Sequence, residues 1–199
     1  MENKTSVKKA AFAFVLLMGI VSLFSDMTHE GAASILGAYL SLAGASAAAI
    51  GFISGLGEMI GYSLRLVTGW FTDKTKKYWP ITILGYVIDC MAIPALALVP
   101  KGGWVWACIL IVIQRTGKAI KKPAKDTLLS FAASQAGTGK SFAMQEFLDQ
   151  IGAFLGPVIL FVVILLKKSE DLFSVYSVCF AILGIPAMIT VALLFVAKR

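Results

Sequence analysis

Six long apolar runs separated by short polar breaks constrain this chain more than any other feature. They cover about residues 10–42, 47–71, 78–98, 105–130, 141–166 and 172–197. A helix that crosses a bilayer needs roughly 20 mostly apolar residues, and each run reaches that length. Hydrophobic residues make up 58% of the chain and charged residues 15%, against about half and a quarter in a soluble domain. The runs are continuous rather than alternating, which argues against an outer-membrane barrel. Helices are the remaining way to satisfy every backbone hydrogen bond inside a bilayer. The expected fold class is an all-α membrane protein, one six-helix transmembrane bundle spanning residues 1–199. The first run is too long for a signal peptide and lacks a small-residue cleavage pattern, so it reads as a retained helix. The breaks at 44–46, 72–77, 100–103, 135–140 and 167–171 leave no room for a second, soluble domain.

The net charge is +7, and its distribution sets an expected orientation. With the amino terminus inside, inner loops and tails hold nine cations: Lys4, Lys8, Lys9, Lys74, Lys76, Lys77, Lys140, Lys198 and Arg199. Outer loops hold three, Lys101, Lys167 and Lys168, the last two followed by Glu170 and Asp171. The bias follows the positive-inside rule with both termini cytoplasmic, in a cell (inner) membrane. The remaining six cations fall within spans, which argues against nucleic acid as a partner. Cys90, Cys108 and Cys179 lie in spans without metal-type spacing and read as small buried hydrophobes. No nucleophile–base pair or nucleotide-binding loop stands out, so neither an enzyme nor a cofactor is expected.

Three motifs add a family resemblance. Between the second and third runs, Gly69-Trp70-Phe71-Thr72-Asp73-Lys74-Thr75-Lys76-Lys77 sets a glycine four residues before an aspartate, followed by a basic cluster. Gly69 permits close helix approach, and Asp73 offers a carboxylate that cations on a neighbouring helix can latch and release. The fifth run contains Gly152-Ala153-Phe154-Leu155-Gly156-Pro157, small residues for tight packing and a proline that permits a kink. The fourth reads Gln114-Arg115-Thr116-Gly117-Lys118-Ala119-Ile120-Lys121-Lys122-Pro123-Ala124-Lys125-Asp126. Together these resemble the signatures of the N-terminal half of a major facilitator superfamily transporter, over the whole chain. The fifth-helix motif is one the family associates with antiporters. Lys121 and Lys125 stand where the family usually has arginines, which weakens any bidentate carboxylate contact carried over from it.

Ionisable residues inside a membrane are functional candidates by default. Arg115, Lys118, Lys122, Lys125 and Asp126 fall within an arc of about 100° on the fourth helix, with Lys121 just outside it. Asp26, His29 and Glu30 share one face of the first helix. The substrate-binding candidates are Asp26, His29, Glu30, Arg115 and Lys118. A proton-coupled transporter needs a buried carboxylate that loads and unloads near neutral pH, and Asp26, Glu30 and Glu58 are the candidates. Asp26, His29 and Glu30 could instead hold a divalent metal, the less favoured reading. Depth matching suggests a gating ion-pair network of Arg65, Asp73, Lys121, Lys125, Glu146 and Asp149. Asp89 has no obvious partner in the sequence, and the resemblance makes it peripheral and structural.

Family members carry two six-helix halves with the substrate site between them. The expectation is a secondary transporter of a small solute, a proton-coupled antiporter working by alternating access as a dimer of halves. A homodimer is slightly favoured over a separately encoded second half or a shortened chain. A six-helix module without transport, regulatory or assembling, is the alternative. The partners expected are the lipid bilayer, a small-molecule substrate and the second half.

Overall fold

A computed structural model describes residues 2–167 and 169–198, and the side chains of residues 2–5 are outside it. Lys168, Arg199 and the side chain of Lys4, all counted above, therefore lie outside the described residues. Six helices account for nearly all of the described chain. They are α1 (Glu2–Leu42), α2 (Ala47–Thr75), α3 (Tyr78–Ala95), α4 (Trp104–Ala136), α5 (Thr138–Leu166) and α6 (Leu172–Ala197). A short 3-10 turn, Leu96–Leu98, extends α3. Five helices are long and apolar enough to cross a membrane. α4 is long enough, but Arg115, Lys118, Lys121, Lys122, Lys125 and Asp126 put more than two charges into any 18-residue stretch of it.

The helix starts and stops follow local chemistry. α1 ends at Leu42, and the chain turns at Gly44, whose φ of +98° is open to glycine without strain. Ser46 then caps α2, its Oγ accepting from the Ala49 N–H at 3.2 Å. Lys76, at φ +56°, closes α2 by donating its N–H to Thr72 O at 2.8 Å. Gly137, at φ +110°, separates α4 from α5. Helices run past the hydropathy-based limits at the ends near 71–78 and 130–141, shrinking those breaks to two residues and one. Hydropathy marks where lipid stops, and a helix continues in water wherever its backbone bonds do.

The packing follows a row. α1 packs on α5 and α6, α3 on α4 and α6, and α2 almost entirely on α4, while α1 and α4 meet at the centre. α2 and α5 therefore stand at the two ends of the row. Glycines fix the closest approaches. A methyl group built at Gly156 would lie 2.7 Å from the backbone N of Gly31, and one at Gly152 would strike the Leu23 backbone. α1 and α5 thus touch backbone to backbone. On the other side, a methyl at Gly85 would lie 2.5 Å from Lys121 N, and one at Gly117 would lie 2.6 Å from Asp89 N.

The core is built in layers. One apolar cluster gathers Tyr39, Leu40, Ile93, Leu96, Phe180 and Leu183, where Tyr39 donates to Leu96 O at 2.7 Å and stacks on Phe173. A second gathers Val15, Met18, Val21, Tyr86, Leu129 and Leu194. Between them lies a polar layer: Ser22, Ser25, Thr28, His29, Asp89 and Lys121, all buried.

Candidate functional site

The polar layer centres on Asp89, which is completely buried in α3. Three side chains converge on its carboxylate. Lys121 of α4 forms an ion pair with Oδ2. His29 of α1 donates through Nε2 to the same oxygen at 2.7 Å. Gln114 of α4 donates through Nε2 to Oδ1 at 2.9 Å, and to His29 Nδ1 at 2.9 Å. A neutral imidazole with its proton on Nε2 satisfies both contacts of His29. Lys121 also donates to Ser25 Oγ at 2.8 Å, and its Nζ sits 4.1 Å from the centre of the Tyr86 ring. One carboxylate and one ammonium balance, and both carboxylate oxygens and both ring nitrogens of His29 have partners. That is the condition under which a buried ion pair is tolerated.

Asp89 is thus central rather than peripheral, which corrects the sequence expectation. The reason lies in the antiparallel packing of α3 on α4. Gly85 precedes Asp89 by one turn and makes room for Lys121; Gly117 precedes Lys121 by one turn and makes room for Asp89. A glycine four residues before a charge on each of two neighbouring helices was the available signal, and it pointed to a pair between them. Gln114, Ser22, Ser25 and Tyr86 complete the layer and carry no such signal in the sequence.

Two cavities flank this cluster. The larger, of about 250 Å³, lies between α4 on one side and α1 and α5 on the other. It is lined by Asp26, Glu30, Lys118, Lys121, Lys122, Lys125, Glu146 and Asp149, with Ser22, Ser25 and Tyr86 at its base. The smaller, of about 70 Å³, is lined by His29, Gln114 and Arg115 together with Leu36, Ile93, Leu96 and Leu110. Glu30 and Lys118 line both cavities. The substrate-binding candidates are therefore shared between two adjoining spaces: Asp26 in the larger, His29 and Arg115 at the smaller, and Glu30 and Lys118 at both.

The expected gating network is not formed in this conformation. Lys121 is held by Asp89, and Lys125 donates to Ser22 Oγ at 2.9 Å. Asp149 accepts from Gln145 and Glu146 from Gln150, each at 2.8 Å. Arg65 lies 5.0 Å from the Tyr62 ring on its own helix, with its Nε buried and unpartnered in the described structure. Asp73 is exposed in the last turn of α2, and among the described residues it makes no ion pair. Gly69 meets Pro123, and the neighbouring Thr68 donates to Ala119 O at 3.0 Å, so this stretch of the motif packs α2 on α4. Glu58, one of the proton-coupling candidates, pairs with Arg115 at 2.5 Å, the two side chains 49% and 30% exposed. Asp26, His29 and Glu30 do not converge as metal ligands, because both ring nitrogens of His29 are taken by Asp89 and Gln114.

No protein-family model matches the chain. Uncharacterised proteins of Mycobacterium tuberculosis and Mycobacterium bovis are 43% identical over 150 residues, 75% of this chain and 36% of theirs. An archaeal protein of Methanocaldococcus jannaschii is 32% identical over 142 residues, 71% of this chain and 35% of its own length. That relative is an uncharacterised MFS-type transporter. The chain spans about a third of the length of these curated relatives. A transporter-like relative and five apolar helices of spanning length mark the chain as an integral membrane protein.

Proposed function

We propose that this chain is a six-span bundle of the major facilitator type that moves a small solute by alternating access, coupled to protons by antiport. The reading rests on charged side chains of α1, α2, α4 and α5 that line the larger cavity or stay partly exposed within helices of spanning length. Glu58 lies eleven residues into α2 and Arg115 eleven into α4, about 16 Å from each helix start at 1.5 Å per residue. That is half of a hydrocarbon core of about 30 Å. Lipid solvates such groups poorly, so they face water or another polypeptide. Glu30, Glu146 and Lys122 are exposed on the rim of the larger cavity. A second six-helix bundle, placed between α2 and α5, would cover all of them and turn the open cavity into a central one. The transporter-like relative supports the same reading, and its greater length agrees with a need for a second bundle.

In this scheme Glu30 carries the proton, because it is the acid that borders both cavities. Closure of the larger cavity would bring Lys125 toward Glu146 and Asp149 as a gate, with the Asp89 cluster as the fixed floor. Both termini face the cytoplasm of a cell membrane. The test uses vesicles loaded with a pH-sensitive dye and containing the purified chain. Small polar solutes added outside should drive proton movement with the native protein, and Glu30→Gln should abolish it. Absence of solute-driven proton movement across the whole panel would sink the coupled-transport reading.

A further inference from the structure

We propose that the larger cavity takes a small zwitterion, a molecule carrying an ammonium and a carboxylate a few bonds apart. The inference rests on reading this cavity as the ligand site of a transporter, and it names the class of ligand. The walls are segregated by sign. α4 supplies Lys118, Lys121, Lys122 and Lys125. Facing them, α1 supplies Asp26 and Glu30, and α5 supplies Glu146 and Asp149. Among the described residues, none of those four carboxylates lies within 4.0 Å of a cation. Opposite charges that line one cavity without touching leave a gap that a ligand with two charged ends can bridge.

The arrangement of charge points the same way. Lys121 is already neutralised by Asp89. Lys118, Lys122 and Lys125 face Asp26, Glu30, Glu146 and Asp149, so both signs border one space. A ligand carrying both charges can meet each wall with the opposite sign, whereas a simple anion meets the carboxylates and a simple cation meets the lysines at a Coulombic penalty. Size and polarity narrow the class further. A dry cavity of about 150 Å³ holds benzene, so one of 250 Å³ accepts an amino-acid-sized molecule. Ala153 is the single aliphatic side chain among the described lining residues, so the lining is mainly polar.

The experiment is equilibrium binding to the purified chain in nanodiscs, read by thermal stabilisation and by calorimetric titration. The probes are glycine, β-alanine and γ-aminobutyrate, with propionate and propylamine as single-charge controls. At least one zwitterion should stabilise the protein at concentrations where both controls are silent. Lys122→Gln and Glu146→Gln, each at an exposed rim position, should weaken that zwitterion about tenfold, and Glu146→Gln should also narrow its advantage over propionate. Equal binding of propionate and the zwitterions, or no binding by any probe, overturns the proposal. Selective zwitterion binding without solute-driven proton movement would overturn the coupling and leave this assignment standing. Coupled movement of a simple anion would do the reverse.

Discussion

At Asp89 the bundle places a carboxylate beyond the reach of water and gives it three partners from two other helices. Removing one member of such a pair leaves a buried charge uncompensated, which costs roughly 3–5 kcal/mol. Asp89→Asn is therefore expected to destabilise the protein strongly, since Lys121 would keep only Ser25 and the Tyr86 ring. Lys121→Met should be milder, because Gln114 and His29 still hold the carboxylate. The double variant should recover much of the loss, and denaturant unfolding of all four proteins in one detergent measures the coupling. If the double variant is as unstable as the sum of the singles, Asp89 and Lys121 do not act as a pair. Sequence reasoning reached the ingredients of this site unevenly. The charges on α1, α4 and α5 are visible as ionisable residues inside apolar runs. Which of them pair is not visible, because pairing depends on helix rotation and spacing that hydropathy does not encode.

Glycine pairs determine how the helices approach. Gly152 and Gly156 let α5 lie directly on the α1 backbone, while Gly85 and Gly117 do the same for α3 and α4. Gly156→Val is expected to force α5 away from α1, at a cost of about 1–3 kcal/mol for an overpacked contact. The thermal midpoint should fall clearly, while Gly55→Ala on α2, whose added methyl meets nothing within 4 Å, should leave it unchanged. A comparable fall in both would mean that helix propensity, not the α1–α5 contact, sets the response. The helical class was legible in the sequence, and among the described residues six helices form, five of them long and apolar enough to cross a membrane. Helix ends in the polar breaks were not, since no apolar signal marks them. The Gly152-x-x-x-Gly156 spacing is visible in the sequence, and its neighbour on α1 came only with the structure.

For the molecule as a whole, no helix among the described residues covers the face between α2 and α5. The Glu58 stripe of α2 continues through Tyr62, which is 62% exposed. All three native cysteines are buried, so a cysteine placed at Tyr62 reacts against a low background. In membranes, Tyr62→Cys is expected to give a cross-linked dimer with a short bifunctional maleimide if a second copy of this chain supplies the proposed second bundle. A monomer band, together with a monomer mass by light scattering, would reject the second copy and make the neighbour a different polypeptide segment.

The α3–α4 pair also has a consequence for how the protein is made. On biological insertion scales a lysine or arginine at mid-helix opposes entry into the bilayer by about 2.5–3.5 kcal/mol, and α4 carries five such cations. α3 reaches α4 through only a few residues, with its own acid one glycine-spaced turn from the point of contact. The two should therefore leave the translocon as a hairpin, with Asp89 already opposite Lys121. Glycosylation mapping of α4 alone, of the α3–α4 hairpin and of the hairpin carrying Asp89→Ala tests this order. Efficient insertion of the hairpin only, reduced by the substitution, is the expected result, and equal insertion of all three would show that α4 needs no escort.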